Sequence, residues 1–136
     1  MTEAQATTTR FCARVAGPFL LLIALMVFTR YDTLEMLLPS LQQNAALVMV
    51  AGVWTALLGL IVFTAHHHFN SPAAATISVL ALILILRGAL LLLQPEALIT
   101  VAGGFVNAPP IMYAVTGLTF LLGAWLSFVG WVAKKV

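Results

Sequence analysis

The sequence predicts an all-α membrane protein in which four transmembrane helices form two helical hairpins of a parallel repeat. Three observations support this fold class: an apolar composition, four apolar segments of transmembrane length, and an alignment between the two halves of the chain. Hydrophobic residues make up 62% of the 136 residues and charged residues 7%, against about 45–50% and about 25% in soluble domains. A soluble domain of this length could not bury so much apolar surface, because its own surface is large relative to its volume.

Four segments meet the requirement of roughly 20 mostly apolar residues for a helix that crosses a membrane. We predict spans at about 11–29, 45–65, 72–93 and 109–133, within a single transmembrane domain covering 1–136. The first segment is predicted to be a retained helix, because no small-residue cleavage site of a signal peptide follows it.

Residues that favour helix starts precede three of these spans. Asn44 precedes the second span, Ser71 and Pro72 open the third, and Asn107 precedes the prolines of the fourth. Asn and Ser side chains cap the first backbone N–H groups of a helix, and proline is tolerated at the first helical position. We therefore predict Asn44, Ser71 and Asn107 as N-caps.

Positive residues lie near both chain termini, with Arg10 and Arg14 at one and Lys134 and Lys135 at the other. An even number of spans puts both termini on one side, and the positive-inside bias makes that side cytoplasmic. We predict a multi-pass protein of the bacterial cytoplasmic (inner) membrane with both termini in the cytoplasm. The six Lys and Arg residues are too scattered for a nucleic-acid surface, which requires a clustered basic face.

The two segments expected on the outer side, 30–44 and 94–108, are too long for tight turns and too apolar for free loops. In the first segment, four leucines recur at helical spacing: Leu34, Leu37, Leu38 and Leu41. This pattern predicts a short amphipathic helix in the headgroup region, and we expect Pro39 to bend or end it. The second segment is similar, and we expect Gly103 and Gly104 to make it looser.

An internal repeat is indicated by sliding the chain over itself by 64 residues. Residues 30–34 then align with 94–98, and the halves 17–65 and 81–129 align without a gap. Each half contains two spans, so both would have the same orientation, related by an axis along the membrane normal as in parallel-repeat membrane proteins. The alternative is that two ordinary helical hairpins have loops of similar length.

Arg87 is the most unusual residue, because it lies inside the third span. A charge at mid-membrane costs about 2.5–3.5 kcal/mol on insertion scales. The side chain could extend toward the nearer interface, where we expect Asp32 or Glu35 to pair with it; Glu96 is too far along for a pair on the same helix. We interpret Arg87, Asp32, Glu35 and Glu96 as a structural or ligand-binding group. The group either fixes helix register through an ion pair or binds a lipid headgroup or another anion.

Small residues form stripes on two spans, and small residues let membrane helices approach closely. The stripes are Gly52, Ala56 and Gly59 on the second span and Gly123, Ser127 and Gly130 on the fourth. Contacts within the bundle and contacts between subunits both remain open.

Three consecutive histidines, His66, His67 and His68, follow the second span. Imidazoles are common metal ligands, but no Cys, Asp or Glu nearby completes a site. The alternative is an exposed run at a helix C-terminus, where it suits the helix dipole. These histidines are weak metal candidates, and we expect no metal or other cofactor.

The stretch from Gly59 to Pro95, with Leu58 before it, carries a short pattern: Leu58-Gly59, Ala65-His66, Ser71-Pro72, Thr76, Ser78, Arg87-Gly88 and Gln94-Pro95. It resembles a family of uncharacterised small four-helix bacterial inner-membrane proteins, in which a helix ends in Ala-His and the next carries a basic residue and Gly before a Pro. This sequence departs from the family where His67 and His68 replace Asn and Trp. The resemblance implies the fold and the membrane location, and it implies no activity.

Two function classes remain open. The first is a non-catalytic accessory or assembly subunit that acts through its transmembrane surfaces. This class is favoured because no serine has a His–Asp context and no acid–base pair is evident, so an enzyme is not expected. The second is a small oligomeric transporter or channel with a polar site at Arg87. Membrane lipids, further copies of the chain or a larger membrane complex are the expected partners.

Overall fold

The computed structural model of the chain describes residues 3–67 and 69–133, and these residues fold into helices joined by short turns. Four helices are long. In chain order, one short helix follows the first long helix and another follows the third. In chain order they are α1 (Glu3–Thr29), α2 (Tyr31–Gln42), α3 (Ala45–Ala65), α4 (Pro72–Leu93), α5 (Pro95–Val106) and α6 (Pro109–Trp131).

The four long helices, α1, α3, α4 and α6, are each long and apolar enough to cross a membrane. The chain is therefore a multi-pass membrane protein, as its composition predicts. The second and third spans have the predicted bounds. The first helix begins at Glu3 rather than near residue 11, and the fourth ends at Trp131 rather than near residue 133.

Two of the three predicted N-caps are confirmed. The Asn44 side chain accepts a hydrogen bond from the Leu47 backbone N–H at 3.0 Å, and the Ser71 hydroxyl accepts one from that of Ala74 at 3.2 Å. The prediction for Asn107 was wrong. Asn107 ends α5, where its backbone N–H donates to a helix carbonyl, and α6 begins after Ala108 without a side-chain cap.

The two short helices are more regular than their breaker residues predict. Pro39 lies inside α2, which continues to Gln42, and Gly103 and Gly104 lie inside α5, which continues to Val106. Proline near a helix end removes a single hydrogen bond, and the last turn of α2 tolerates that loss.

Helices α3 and α4 pack as a close antiparallel pair. A β-carbon placed on Gly59 would lie 2.7 Å from the Ile85 backbone nitrogen and 3.0 Å from the Ala81 carbonyl oxygen. Farther along the pair, Gly88 lies directly against the backbone of Ala56. Such distances leave no room for a side chain, so small residues let the two backbones touch.

Helices α1 and α6 form a second antiparallel pair of the same kind. A β-carbon on Gly123 would lie 2.9 Å from the Leu21 backbone nitrogen and 3.0 Å from the Gly17 carbonyl oxygen. Gly17 in turn lies against the backbone of Ser127. The predicted small-residue stripes thus serve contacts within the bundle.

The two helix pairs meet through α1 and α4, which run parallel to each other. Ala13 of α1, Ile77 of α4 and Leu126 of α6 form a buried apolar core where the pairs meet, which we call the central core. The parallel course of α1 and α4 brings α2 and α5 together at one end of the bundle, the α2/α5 end. At the opposite end, the His66 end, lie the start of α1, the loop after α3 and the end of α6.

Candidate functional site

A cavity of about 480 Å³, which we call the Arg87 cavity, lies at the α2/α5 end, between the ends of the spans and the two short helices. Its wall residues on the spans begin at Ile23 on α1 and Arg87 on α4 and continue from there toward the α2/α5 end. The cavity therefore stops before the central core, which lies closer to the His66 end. Among the described residues that line it, Arg87 is the charged one and the others are apolar: Ile23, Met26, Val27, Leu34, Leu41, Leu91, Leu98, Ile99, Val101, Ala102, Phe105, Val106, Met112 and Val115.

Arg87 is exposed at the wall of this cavity. It lies six residues before the end of α4 at Leu93, which corresponds to about 9 Å along a helix that rises 1.5 Å per residue. Within the described residues, its guanidinium makes no hydrogen bond or ion pair to protein. The expected pairing with Asp32 or Glu35 is therefore not formed. The reason is positional, since neither carboxylate lines the cavity at Arg87, and Glu35 borders a different opening.

The three candidate carboxylates lie on the short helices. Glu35 borders a separate opening of about 300 Å³ between α2 and α5, beside Pro39 and Thr100. Asp32 and Glu96 are exposed near the starts of α2 and α5. The structure thus collects the four candidate residues at one end of the bundle without joining them into one cluster. Their assignment as a ligand site stays a prediction.

An aromatic group at the α2/α5 end joins α1, α2 and α6. The Tyr31 ring stacks on that of Tyr113 with centroids 5.7 Å apart, and Phe28 meets Tyr113 edge-on at 6.3 Å. The Tyr31 hydroxyl donates a hydrogen bond to the Val106 carbonyl oxygen at the end of α5. Loss of solvent around the hydroxyl raises its pKa above the ordinary value of 10.0, and the negative charge of Glu35 adds to this effect. The neutral phenol therefore ties α2 to α5.

At the opposite end of the bundle, His66 is fully buried, with 0% of its surface exposed. Its Nε2 lies 2.7 Å from the Thr9 hydroxyl oxygen of α1, and its Nδ1 lies 3.3 Å from the Ser78 hydroxyl oxygen of α4. Thr9 and Ser78 are also completely buried. The side chain thus connects the loop after α3 with two other helices.

The buried histidine is satisfied in either tautomer. The Thr9 hydroxyl also reaches the Gln5 carbonyl oxygen at 2.8 Å, and the Ser78 hydroxyl reaches the carbonyl oxygen of His66 at 3.2 Å. Each hydroxyl can rotate, so it can either accept from the ring or donate to it. Buried polar groups that are hydrogen-bonded in this way fix a packing arrangement.

The interpretation of the histidine run as exposed was therefore wrong for His66. His67 is exposed beside Phe63, and His68 lies outside the described residues. In the described part of the chain, no Cys, Asp or Glu joins these histidines in a group that could hold a metal ion. The hydroxyls at Thr9 and Ser78 are far from His66 in sequence, so local spacing could not reveal the cluster.

Two arginines of α1 bind the end of α6. The Arg10 guanidinium donates to the Ala133 carbonyl oxygen, and the Nε–H of Arg14 donates to that of Gly130, both at 2.8 Å. Arg14 also lies over the Trp131 ring, 5.3 Å from its centroid. Cations stabilise the carbonyl end of a helix. Sequence reasoning interpreted these residues only as signals of orientation and missed the contact.

No known protein family, curated protein or solved structure matches the chain. The resemblance carried by the stretch from Gly59 to Pro95 stays a prediction.

Proposed function

We propose that this protein is a non-catalytic subunit of the bacterial cytoplasmic membrane that acts through its transmembrane surfaces as an accessory or assembly factor. One observation carries the proposal: the inward faces of the helices are used for packing, while large apolar side chains point outward from every span. Phe19, Trp54, Leu86 and Leu121 are all more than half exposed. These faces are available to lipid and to the spans of a partner.

The central core supports a binding role over passage through a single chain. Ala13, Ile77 and Leu126 fill the space where the two helix pairs meet. His66 and its two hydroxyl partners fill the space between this core and the His66 end. The Arg87 cavity is therefore closed toward the His66 end, as expected of a binding site and not of a path through the chain.

Orientation is part of the proposal: both termini face the cytoplasm, and the α2/α5 end faces outward. Arg10 and Arg14 lie at the His66 end, against Arg30 in the described turns at the other end, and this excess agrees with the positive-inside rule. Labelling with a membrane-impermeant thiol reagent tests this in a Cys12→Ser background. Asn107→Cys should react from outside and Asn70→Cys should not, whereas the reverse pattern contradicts the orientation.

We also propose that the chain arose by duplication of a two-span unit. The bounds of α2 and α5 support this, because Tyr31–Gln42 and Pro95–Val106 begin and end 64 residues apart. The backbone atoms that face Gly59 and Gly123 are also 64 residues apart. In such an arrangement, each half contributes its first span to pack against the second span of the other half. An experimental structure in which the halves match only with inverted topology contradicts the duplication.

Purification from membranes in a mild detergent tests the proposed function. We expect the chain to elute as part of a larger complex with a reproducible protein partner. Trp54→Ala and Leu121→Ala, which change outward faces of α3 and α6, should weaken that complex, while Gly117→Ala serves as a control at a small outward position. An isolated monomer without partner in every mild detergent contradicts the proposal.

An oligomeric transporter or channel is the second candidate, because Arg87 gives the α2/α5 end a cation at a cavity inside the span region. With the interior of one chain packed, such a path would lie between subunits. Isolation of a homo-oligomer whose anion flux in vesicles depends on Arg87 favours this candidate over the first.

A further inference from the structure

The Arg87 cavity combines one cation with apolar walls, which is the chemistry of a site for an amphiphile. We propose that it binds an anionic membrane lipid, with the phosphate of the headgroup on the Arg87 guanidinium and an acyl chain along the cavity wall. The inference rests on the proposed membrane location and is independent of the proposed protein partner.

The charge of Arg87 supports an anionic ligand. Within the part of the chain that the structure describes, the guanidinium has no carboxylate or carbonyl partner. An unpaired cation inside a membrane is costly, and such residues usually pair or mark a functional site. The planar guanidinium offers parallel N–H donors that match two phosphate oxygens. A lipid phosphate would therefore supply the pairing that the protein does not.

The walls support a ligand with a hydrocarbon chain. Ile23 and Met26 on α1 and Val115 on α6 line the cavity, and each keeps more than a third of its surface exposed. The volume of about 480 Å³ falls within the range of about 300–1,000 Å³ typical of ligand sites. A free inorganic anion would leave these apolar surfaces uncovered, whereas an acyl chain would contact them.

The position of the cation relative to the cavity supports a lipid from the leaflet at the α2/α5 end. A long arginine side chain can extend from Arg87 toward the headgroups at the end of α4. The phosphate would then lie on the headgroup side of the cavity, and the acyl chain would pass Ile23 and Val115 at the limit nearest the membrane centre. In the proposed orientation the leaflet at the α2/α5 end is the outer leaflet. The ligand would then lie beneath α2 and α5, which line the cavity from the headgroup side.

Titration of the purified protein with phosphatidylglycerol, followed by native mass spectrometry, tests the inference. We expect phosphatidylglycerol to bind about tenfold or more tightly than zwitterionic phosphatidylcholine, the difference that one charge-assisted pair provides. Arg87→Gln should remove this preference. Arg30→Gln, which removes another cation at the same end but not from the cavity wall, should preserve it. Inorganic phosphate at millimolar concentration should not displace the lipid.

A second variant separates the acyl site from the charge. Val115→Trp keeps Arg87 but narrows the cavity at its limit nearest the membrane centre, so it should also lower the affinity for phosphatidylglycerol. The inference is overturned if Arg87→Gln binds phosphatidylglycerol as well as the parent, if both lipids bind equally, or if inorganic phosphate competes fully. A protein that binds the lipid but has no protein partner contradicts only the proposed function. A protein with a partner but no lipid preference contradicts only this inference.

Discussion

His66 and Arg87 are polar side chains at opposite ends of the same apolar bundle, and their surroundings differ in every respect. His66 is completely buried and hydrogen-bonded through both ring nitrogens to hydroxyls on two helices. Arg87 is exposed at a cavity wall and, among the described residues, pairs with none. A buried, satisfied group stabilises packing, whereas a charge without a protein partner is available to a ligand.

The glycines of α6 also differ in how closely a neighbouring helix packs against them. Gly123, next to the central core, touches the backbone of α1, while a β-carbon on Gly117, nearer the α2/α5 end, meets nothing within 4 Å. A β-carbon on Gly103 or Gly104 of α5 would likewise meet nothing within 4 Å. Along the α1/α6 pair, packing is therefore close next to the central core and opens toward the α2/α5 end, whereas the α3/α4 pair stays close-packed at Gly52 and Gly88.

The largest expected effect is that of Gly123→Leu. Its side chain would collide with the backbone of α1, and overpacking by rigid neighbours destabilises by about 1–3 kcal/mol, occasionally more. We expect at least the upper part of this range, or loss of the folded protein, in thermal unfolding followed by circular dichroism. Gly117→Leu on the same helix is the control, and an equal loss in both variants would remove the contrast between the two ends.

His66→Leu should have the next largest effect, because it leaves two buried hydroxyls without their side-chain partner. Two hydrogen bonds to the ring are lost, at about 0.5–1.5 kcal/mol each, while both hydroxyls keep their backbone carbonyl partners. His67→Leu changes the neighbouring exposed histidine and should leave the unfolding temperature nearly unchanged. A similar decrease in both variants would show that the cluster does not matter for stability.

Thr9→Val should destabilise less than His66→Leu, by about 1–2 kcal/mol. Valine keeps the shape of threonine but removes the hydroxyl that meets His66 Nε2, while the contact with Ser78 remains. Unfolding of the double variant Thr9→Val/His66→Leu measures the coupling. Fully additive effects would mean that the two residues act independently.

Tyr31→Phe should have the smallest effect, because it removes one hydrogen bond between α2 and the end of α5. The pKa of the Tyr31 hydroxyl is raised in the folded protein, mainly by desolvation and further by Glu35. Its contribution is therefore complete below the ordinary value of 10.0 and is lost as the pH rises through the higher folded value. Thermal unfolding at neutral pH and at pH above about 10 should show the difference between parent and variant shrinking. A constant difference contradicts this reasoning.

Local sequence signals predicted the spans and two of the caps well. Hydropathy is a property of a single segment. The capping pairs Asn44–Leu47 and Ser71–Ala74 are three residues apart, so both partners are visible in the local sequence. The cap prediction was wrong at Asn107, because this residue ends α5 instead of starting α6.

Long-range contacts were not predictable in the same way. His66 was expected to be exposed because its partners, Thr9 and Ser78, belong to other helices. The charge of Arg87 made it stand out in the sequence. Whether a carboxylate of α2 would reach it depends on how α2 is placed relative to α4, which the sequence does not reveal. Which spans pair closely could be read only from the contacts of Gly59, Gly123 and their neighbours.

Side-by-side thermal unfolding of Arg87→Leu and His66→Leu in lipid-free detergent tests the contrast most directly. Because Arg87 has no described protein partner, we expect Arg87→Leu to unfold at the parent's temperature or above it. His66→Leu should unfold clearly below the parent. If Arg87→Leu is destabilised as much as His66→Leu, Arg87 is a structural residue and the α2/α5 end is not a binding end.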